Sequence, residues 1–138
     1  HWASKYSILF VGRPPAQRQN RELVNRDGMQ AYLRGSFLRN KPWDKMVEEI
    51  VSATGTTSPG SPEFNGATNF LVNKLAENAT EATAKTAKYF LGIQVQCTQC
   101  HNHPFNDWKQ DQFWGLNAFF RQTKSIQNRN GQNVEYVT

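Results

Sequence analysis

The only two cysteines of the 138-residue chain stand three positions apart, and a histidine follows the second at once: Cys97-Thr98-Gln99-Cys100-His101. This box constrains the chain more than any other feature. Two thiols at that spacing can close thioether bonds onto the two vinyl groups of one porphyrin, and the adjacent imidazole can reach the iron from the same face. CxxCH is the attachment signature of a c-type haem. On this reading Cys97 and Cys100 anchor a covalent haem c and His101 is the proximal iron ligand. The next residues, Asn102-His103-Pro104-Phe105, set a second imidazole and a ring-rigid proline against the box.

Three blander chemistries compete for the same residues. Cys97, Cys100, His101 and His103 make a nominal two-sulfur, two-nitrogen zinc set, although zinc patterns usually separate their ligand pairs by roughly a dozen residues. A thioredoxin-like dithiol belongs at the start of a helix after a strand, and no such pattern surrounds the box. A plain disulfide is the third alternative.

If iron is bound, further residues acquire roles. The backbone carbonyl of Pro104 is the expected acceptor that orients His101 through its other ring nitrogen. Trp108, brought back by the turn at Pro104, is the expected wall limiting water at the macrocycle. His103 lies too close to His101 to cross to the distal face, and reads as a structural or propionate-binding histidine. Distal candidates are His1, Met29 and Met46, with an open sixth position as the remaining arrangement. A filled iron favours electron transfer, and an open one favours peroxide chemistry or small-ligand sensing.

Length and charge set outer limits. A chain of 138 residues fits one domain, 1–138, with a modest core. Four Trp, four Tyr and nine Phe make wholesale disorder an unsuitable reading. The formal charge of +5 is spread out, apart from Arg13, Arg18, Arg21 and Arg26, so the basic residues read as solvated surface and no nucleic-acid partner is expected. No apolar run approaches the ~20 residues of a membrane span, and no leader pattern is visible. The chain opens on His1 without an initiator methionine, so it is expected to be a piece of a larger protein. Thioether attachment would itself place assembly outside the bacterial cytoplasm, in the periplasm or beyond.

Periodicity predicts a mainly helical chain. Residues 1–11 place Trp2, Tyr6, Leu9 and Phe10 on one helical face before Gly12 and Pro14-Pro15. Residues 16–25 read as a connector or a poorly packed helix. Asp27 is the expected cap of a second helix carrying Met29, Tyr32, Leu33, Phe37 and Leu38. Pro42 opens a third helix with Trp43, Met46, Val47, Ile50 and Val51 as its stripe, ending by Gly55. Residues 54–62 read as a loop that divides the chain without dividing domains. Asn78 and Glu81 suggest a capping box starting a helix that runs to Gly92. A last helix is expected over 107–121, burying Phe113, Leu116, Phe119 and Phe120. The tail reads as a turn at 128–131 and an edge strand at 134–137.

The run Tyr89-Phe90-Leu91-Gly92-Ile93-Gln94-Val95-Gln96 into the box, then His103-Pro104-Phe105, Trp108, Gln110-Asp111, Gly115-Leu116 and Ala118-Phe119-Phe120, resembles the core motif of the planctomycete-type cytochrome c-associated domain of unknown function. Asn40-Lys41-Pro42-Trp43-Asp44 with Val47, and the His1-Trp2 pair, resemble its upstream segments. Thr98 stands where that family often has Ala, and Phe113-Trp114 where it often has Tyr pairs. The resemblance implies a domain of large secreted or periplasmic bacterial proteins, joined to other domains, with no activity of its own established.

The expectation is therefore a mainly α, small irregular cytochrome c-like domain with a short C-terminal β element. Its expected role is electron transfer to a redox partner protein or to other domains of the same polypeptide. A catalytic or ligand-sensing haem domain is the first alternative, and a structural domain secured by zinc or a disulfide is the second.

Overall fold

The computed structural model describes residues 1–13, 23–72, 74–127 and 134–137; the expected connector at 16–25 lies largely, and the turn at 128–131 wholly, outside them. The chain is mainly helical and divides into two compact units, His1–Asn73 with Ser125–Thr138, and Lys74–Lys124. The 54–62 loop falls inside the first unit.

Helix α1 (Trp2–Val11) ends at Gly12, whose φ of 79° lies in the left-handed region. Its buried stripe is Ala3, Ser7, Phe10 and Val11, one position round from the expected face. Trp2 and Leu9 are exposed, and Tyr6 sits at the margin against Phe37 and Trp43 at ring distances of 5.7 and 5.6 Å. Aromatic bulk drew the expected face toward Trp2, but two of the four buried positions are taken by small residues, Ala3 and Ser7. Helix α2 (Arg26–Leu38) is capped by Asn25, not Asp27: the Asn25 side chain accepts from Gly28 N–H at 2.9 Å, leaving Asp27 in the first turn to face the positive end of the helix dipole. Met29 and Leu33 are buried, whereas Leu38 is exposed. Helix α3 (Trp43–Val51) follows Pro42 and buries Met46 and Ile50.

A short strand, β1 (Gly55–Thr56), leads to a 3-10 turn, Gly66–Thr68, which continues into α4 (Asn69–Val72). Asn69 is fully buried with both ends of its amide used: its oxygen accepts from Asn25 N–H at 2.6 Å and its nitrogen donates to the Gly66 carbonyl at 3.0 Å. Gly66 is required by close approach, because a Cβ there would lie 2.3 Å from the Gly28 carbonyl oxygen at the start of α2. Phe10, Met29, Leu33, Met46, Ile50, Phe70 and Leu71 fill this unit's core. Strands β2 (Lys124–Gln127) and β3 (Val134–Val137) complete a three-stranded sheet in the order β1-β3-β2, with Gly55 opposite Tyr136 and Thr56 opposite Glu135 in antiparallel register. The C-terminal strand is thus central rather than at an edge. Its partner β1 was hidden in a Gly, Thr and Ser stretch too short to show alternation.

The second unit holds α5 (Ala76–Thr86), a π-helical turn at Ala87–Leu91, a 3-10 turn at Gln96–Gln99, and α6 (Gln110–Phe120). The capping box expected at Asn78 does not form. Glu77, Asn78 and Ala79 take left-handed backbone angles, with φ between 51° and 60°, so right-handed helix begins only after them. Such residues carry a conformational cost, and a buried crosslink offsets it: Asn117 of α6 donates its amide to the Asn78 carbonyl at 2.9 Å and to the Thr83 hydroxyl at 3.0 Å. Helix α6 starts three residues later than expected. Phe113 and Phe120 are buried as anticipated, but Phe119 is half exposed, and Asn117 takes the buried position instead.

Lys74 is buried at the start of this unit. Burial pushes its ammonium down to about 8, against the upward pull of Glu81, while Lys85 adds to the depression. A cation depressed from 10.5 to about 8 by folding penalises the fold fully below pH 8, and the penalty fades as pH rises toward 10.5. We expect the wild type to gain about 3 kcal/mol between neutral pH and pH ~10 relative to Lys74→Met, read from urea unfolding of both proteins across that range.

Candidate functional site

The second unit builds a platform beneath the cysteine box. Ala84, Ala87, Val95 and Phe113 form its buried cluster, and Ile93, Trp108 and Leu116 pack against it half-buried. After the π-helical turn, Gly92 reverses the chain in the left-handed region, with φ of 71°, and Ile93 N–H returns to the Ala87 carbonyl at 3.1 Å.

The box then lies on the 3-10 turn. Thr98 is fully buried, and its hydroxyl donates to the Val95 carbonyl at 2.6 Å, pinning the turn to the platform. Thr98 is buried, whereas Cys97, within the turn, and Cys100, which caps it, are both exposed and neither is in a disulfide. The plain disulfide alternative is thus not what this geometry holds. The Gln99 carbonyl accepts from Gln110 Nε2 at 3.0 Å and from Trp114 Nε1 at 3.2 Å, so two α6 residues one turn apart hold the box from behind. Both appear in the sequence as parts of the family resemblance, but neither is assigned a contact with the box there, although their i, i+4 spacing is visible once the helix is placed.

His101 is exposed, with Nδ1 2.6 Å from the backbone carbonyl oxygen of Asn102. A carbonyl only accepts, so this bond puts a proton on Nδ1, and in the neutral ring that leaves Nε2 with the lone pair. The orienting carbonyl is therefore that of Asn102, in place of the expected Pro104, which is exposed at the tip of the following loop. The tight turn after the box brings the nearer carbonyl into reach first. The Asn102 side chain also accepts from Gln110 N–H at 3.0 Å.

Residues 103–108 close on themselves. His103 N–H donates to the Trp108 carbonyl at 2.8 Å, the His103 ring Nδ1 accepts from Phe105 N–H at 3.2 Å, and Trp108 N–H donates to Asn106 Oδ1 at 3.0 Å. His103 thus serves its own loop. Phe105, at its tip, is 92 % exposed. Trp108 packs on the platform and, with Leu91, Ile93, Thr98 and Leu116, lines a cleft of about 140 Å³. Sites that enclose a ligand of some size run to roughly 300–1,000 Å³.

The three distal candidates all belong to the first unit. Met29 and Met46 are fully buried among its core side chains, while His1 is exposed, its ring 6.1 Å from that of Trp2 in an edge-on contact. His1 and Trp2 also border a cleft of about 430 Å³ with Arg34 and Phe37. Among the described residues no group of three or more His, Cys, Asp or Glu side chains is placed together to hold a metal ion, so Cys97, Cys100, His101 and His103 do not assemble as a zinc set. No helix among the described residues is long and apolar enough to cross a membrane.

The donor chemistry fits a covalent haem: two free, exposed thiols three positions apart on and beside a pinned turn, followed by an imidazole whose Nε2 is left available. The family model PSCyt2, described as a protein of unknown function (DUF1549), matches residues 1–125. No curated protein and no solved structure matches the chain.

Proposed function

The chain belongs to the PSCyt2 family of proteins of unknown function (DUF1549), and from that premise we propose that it is an extracytoplasmic domain that carries one haem c and transfers electrons. The observation that carries this reading is the pair of free thiols on the 3-10 turn with the Nε2 of His101 left open beside them. Cys97 and Cys100 would hold the macrocycle and His101 would face the iron. Bound there, a haem c supplies a one-electron redox couple. The protein's own contribution would be to hold the thiols exposed on a pinned turn, keep the imidazole in one tautomer, and keep water away from one edge of the site through Trp108. Electrons would pass to a redox partner protein or to other domains of a longer polypeptide.

Intact mass after acid denaturation tests the proposal, because thioethers survive unfolding. Protein made in a host with a working haem-attachment system should keep the mass of one haem. An unmodified mass would sink the cytochrome reading, and stoichiometric zinc would return the structural alternative. Replacing Trp108 with alanine should admit water and shift the haem potential while attachment persists, since solvent exposure tunes iron potentials. An unchanged potential would reduce Trp108 to a packing residue.

A second reading, a haem that binds peroxide or a small ligand, is favoured by the burial of Met29 and Met46 in the first unit's core, which leaves His1 as the accessible distal candidate. A low-spin spectrum that turns high-spin in His1→Ala supports electron transfer with a filled iron. A wild-type spectrum already high-spin, with rapid carbon monoxide binding, supports the second reading.

A further inference from the structure

Asn102 makes two connections in opposite directions. Its backbone carbonyl accepts from His101 Nδ1 at 2.6 Å, and its side-chain oxygen accepts from Gln110 N–H, the first residue of α6, at 3.0 Å. The Gln110 side chain reaches back to the Gln99 carbonyl at 3.0 Å. Cys100 and His101 are therefore straddled by two anchors that meet on one helical residue. The first-turn N–H groups of a helix have no partner within it, so the Asn102 amide oxygen satisfies one of them and in return is fixed in place.

That fixation has a consequence for the neighbouring imidazole. The acceptor carbonyl belongs to the Asn102–His103 peptide plane, which His103 N–H ties to the Trp108 carbonyl at 2.8 Å. With the side chain of Asn102 tied to α6 as well, that plane is restrained at both of its ends and the acceptor stays beside His101.

We propose that Asn102 is a positioning residue: by docking its side chain on the N-terminus of α6, it holds its own carbonyl against His101 and keeps that imidazole in the Nδ1–H form, with Nε2 free to ligate. The interest of this role rests on His101 being an iron ligand, as proposed above. Its test does not, because it is read on the haem-free protein, whereas haem attachment is read separately by mass.

Nitrogen-15 NMR of selectively labelled histidine distinguishes the two neutral tautomers by the shifts of the two ring nitrogens. In mildly alkaline buffer, where imidazoles are neutral, wild-type His101 should favour Nδ1–H. Asn102→Ala should lower the ratio of Nδ1–H to Nε2–H about fivefold, the weight of one ordinary hydrogen bond. Asn102→Asp keeps an acceptor for Gln110 N–H and should restore the wild-type ratio. Gln110→Ala keeps the N–H and loses only the bond to Gln99, so it should leave the ratio unchanged. Asn102 is exposed, and folding of each variant is checked by thermal melting; if the alanine variant does not fold, Asn102→Leu, which also lacks an acceptor, replaces it. A folded variant lacking the acceptor but retaining the wild-type ratio would overturn the proposal. So would an Asp variant that behaves like Ala, because the acceptor would then not be what matters.

Discussion

Cys97→Ser combined with Cys100→Ser is expected to abolish covalent haem attachment while leaving the stability of the haem-free protein within about 0.5 kcal/mol of wild type, the usual range for surface substitutions. Both thiols are exposed and unpaired, so serine removes reactivity without opening a cavity or stranding a partner. The fold under the box is held by other groups: Thr98 on the Val95 carbonyl, and Gln110 and Trp114 on the Gln99 carbonyl. Either single serine variant should keep one thioether and hence the added mass. The paired measurement, mass from the attaching host and urea unfolding of haem-free protein, separates a dedicated attachment site from thiols that serve the fold. Loss of stability by several kcal/mol in the double variant would assign the cysteines a structural role.

The sequence carried the chemistry of the box more legibly than its surroundings. The haem proposal rests on residue type and spacing in five adjacent residues and needs no fold to be made. The residue that orients His101 was misplaced by two positions, because which carbonyl reaches a ring nitrogen depends on backbone angles after the box, and no residue type encodes those. Helices α1, α2 and α3 were legible from periodicity and from Gly12 and Pro42. The faces they bury were less so. Trp2 and Leu9 weigh heavily in any hydrophobic pattern, yet both are exposed and the small Ala3 and Ser7 are buried beside Phe10 and Val11. Asn78 read as a helix cap because Asn stabilises a helix start when its side chain accepts. In the structure it lies in a left-handed turn, where Asn is also tolerated, and long-range bonds from Asn117 decide between the two. Strand β1 escaped notice because two residues cannot display a period of two.

Phe113→Ala is expected to be the most disruptive single change in the second unit, costing about 3–5 kcal/mol, the range for removing a buried phenyl ring. Phe113 is almost fully buried with Ala84, Ala87 and Val95, and its ring meets Trp114 edge-on at 5.2 Å. The alanines cannot fill the space it leaves, because their side chains end at Cβ. A unit running only from Lys74 to Lys124 buries a small core and has little stability in reserve, so a loss of this size should melt it. The consequence reaches the box through Val95, which shares the Phe113 cluster and whose carbonyl holds both the N–H and the hydroxyl of Thr98. Hydrogen exchange should therefore show loss of protection in α5, α6 and the 3-10 turn together. Phe119→Ala is the matched control on the same helix: Phe119 is 51 % exposed, and its removal should cost no more than about 1 kcal/mol, since only part of its apolar surface leaves water on folding. If Phe113→Ala and Phe119→Ala proved equally mild, the cluster beneath the box would not be the support that holds Cys97 and Cys100 at their turn.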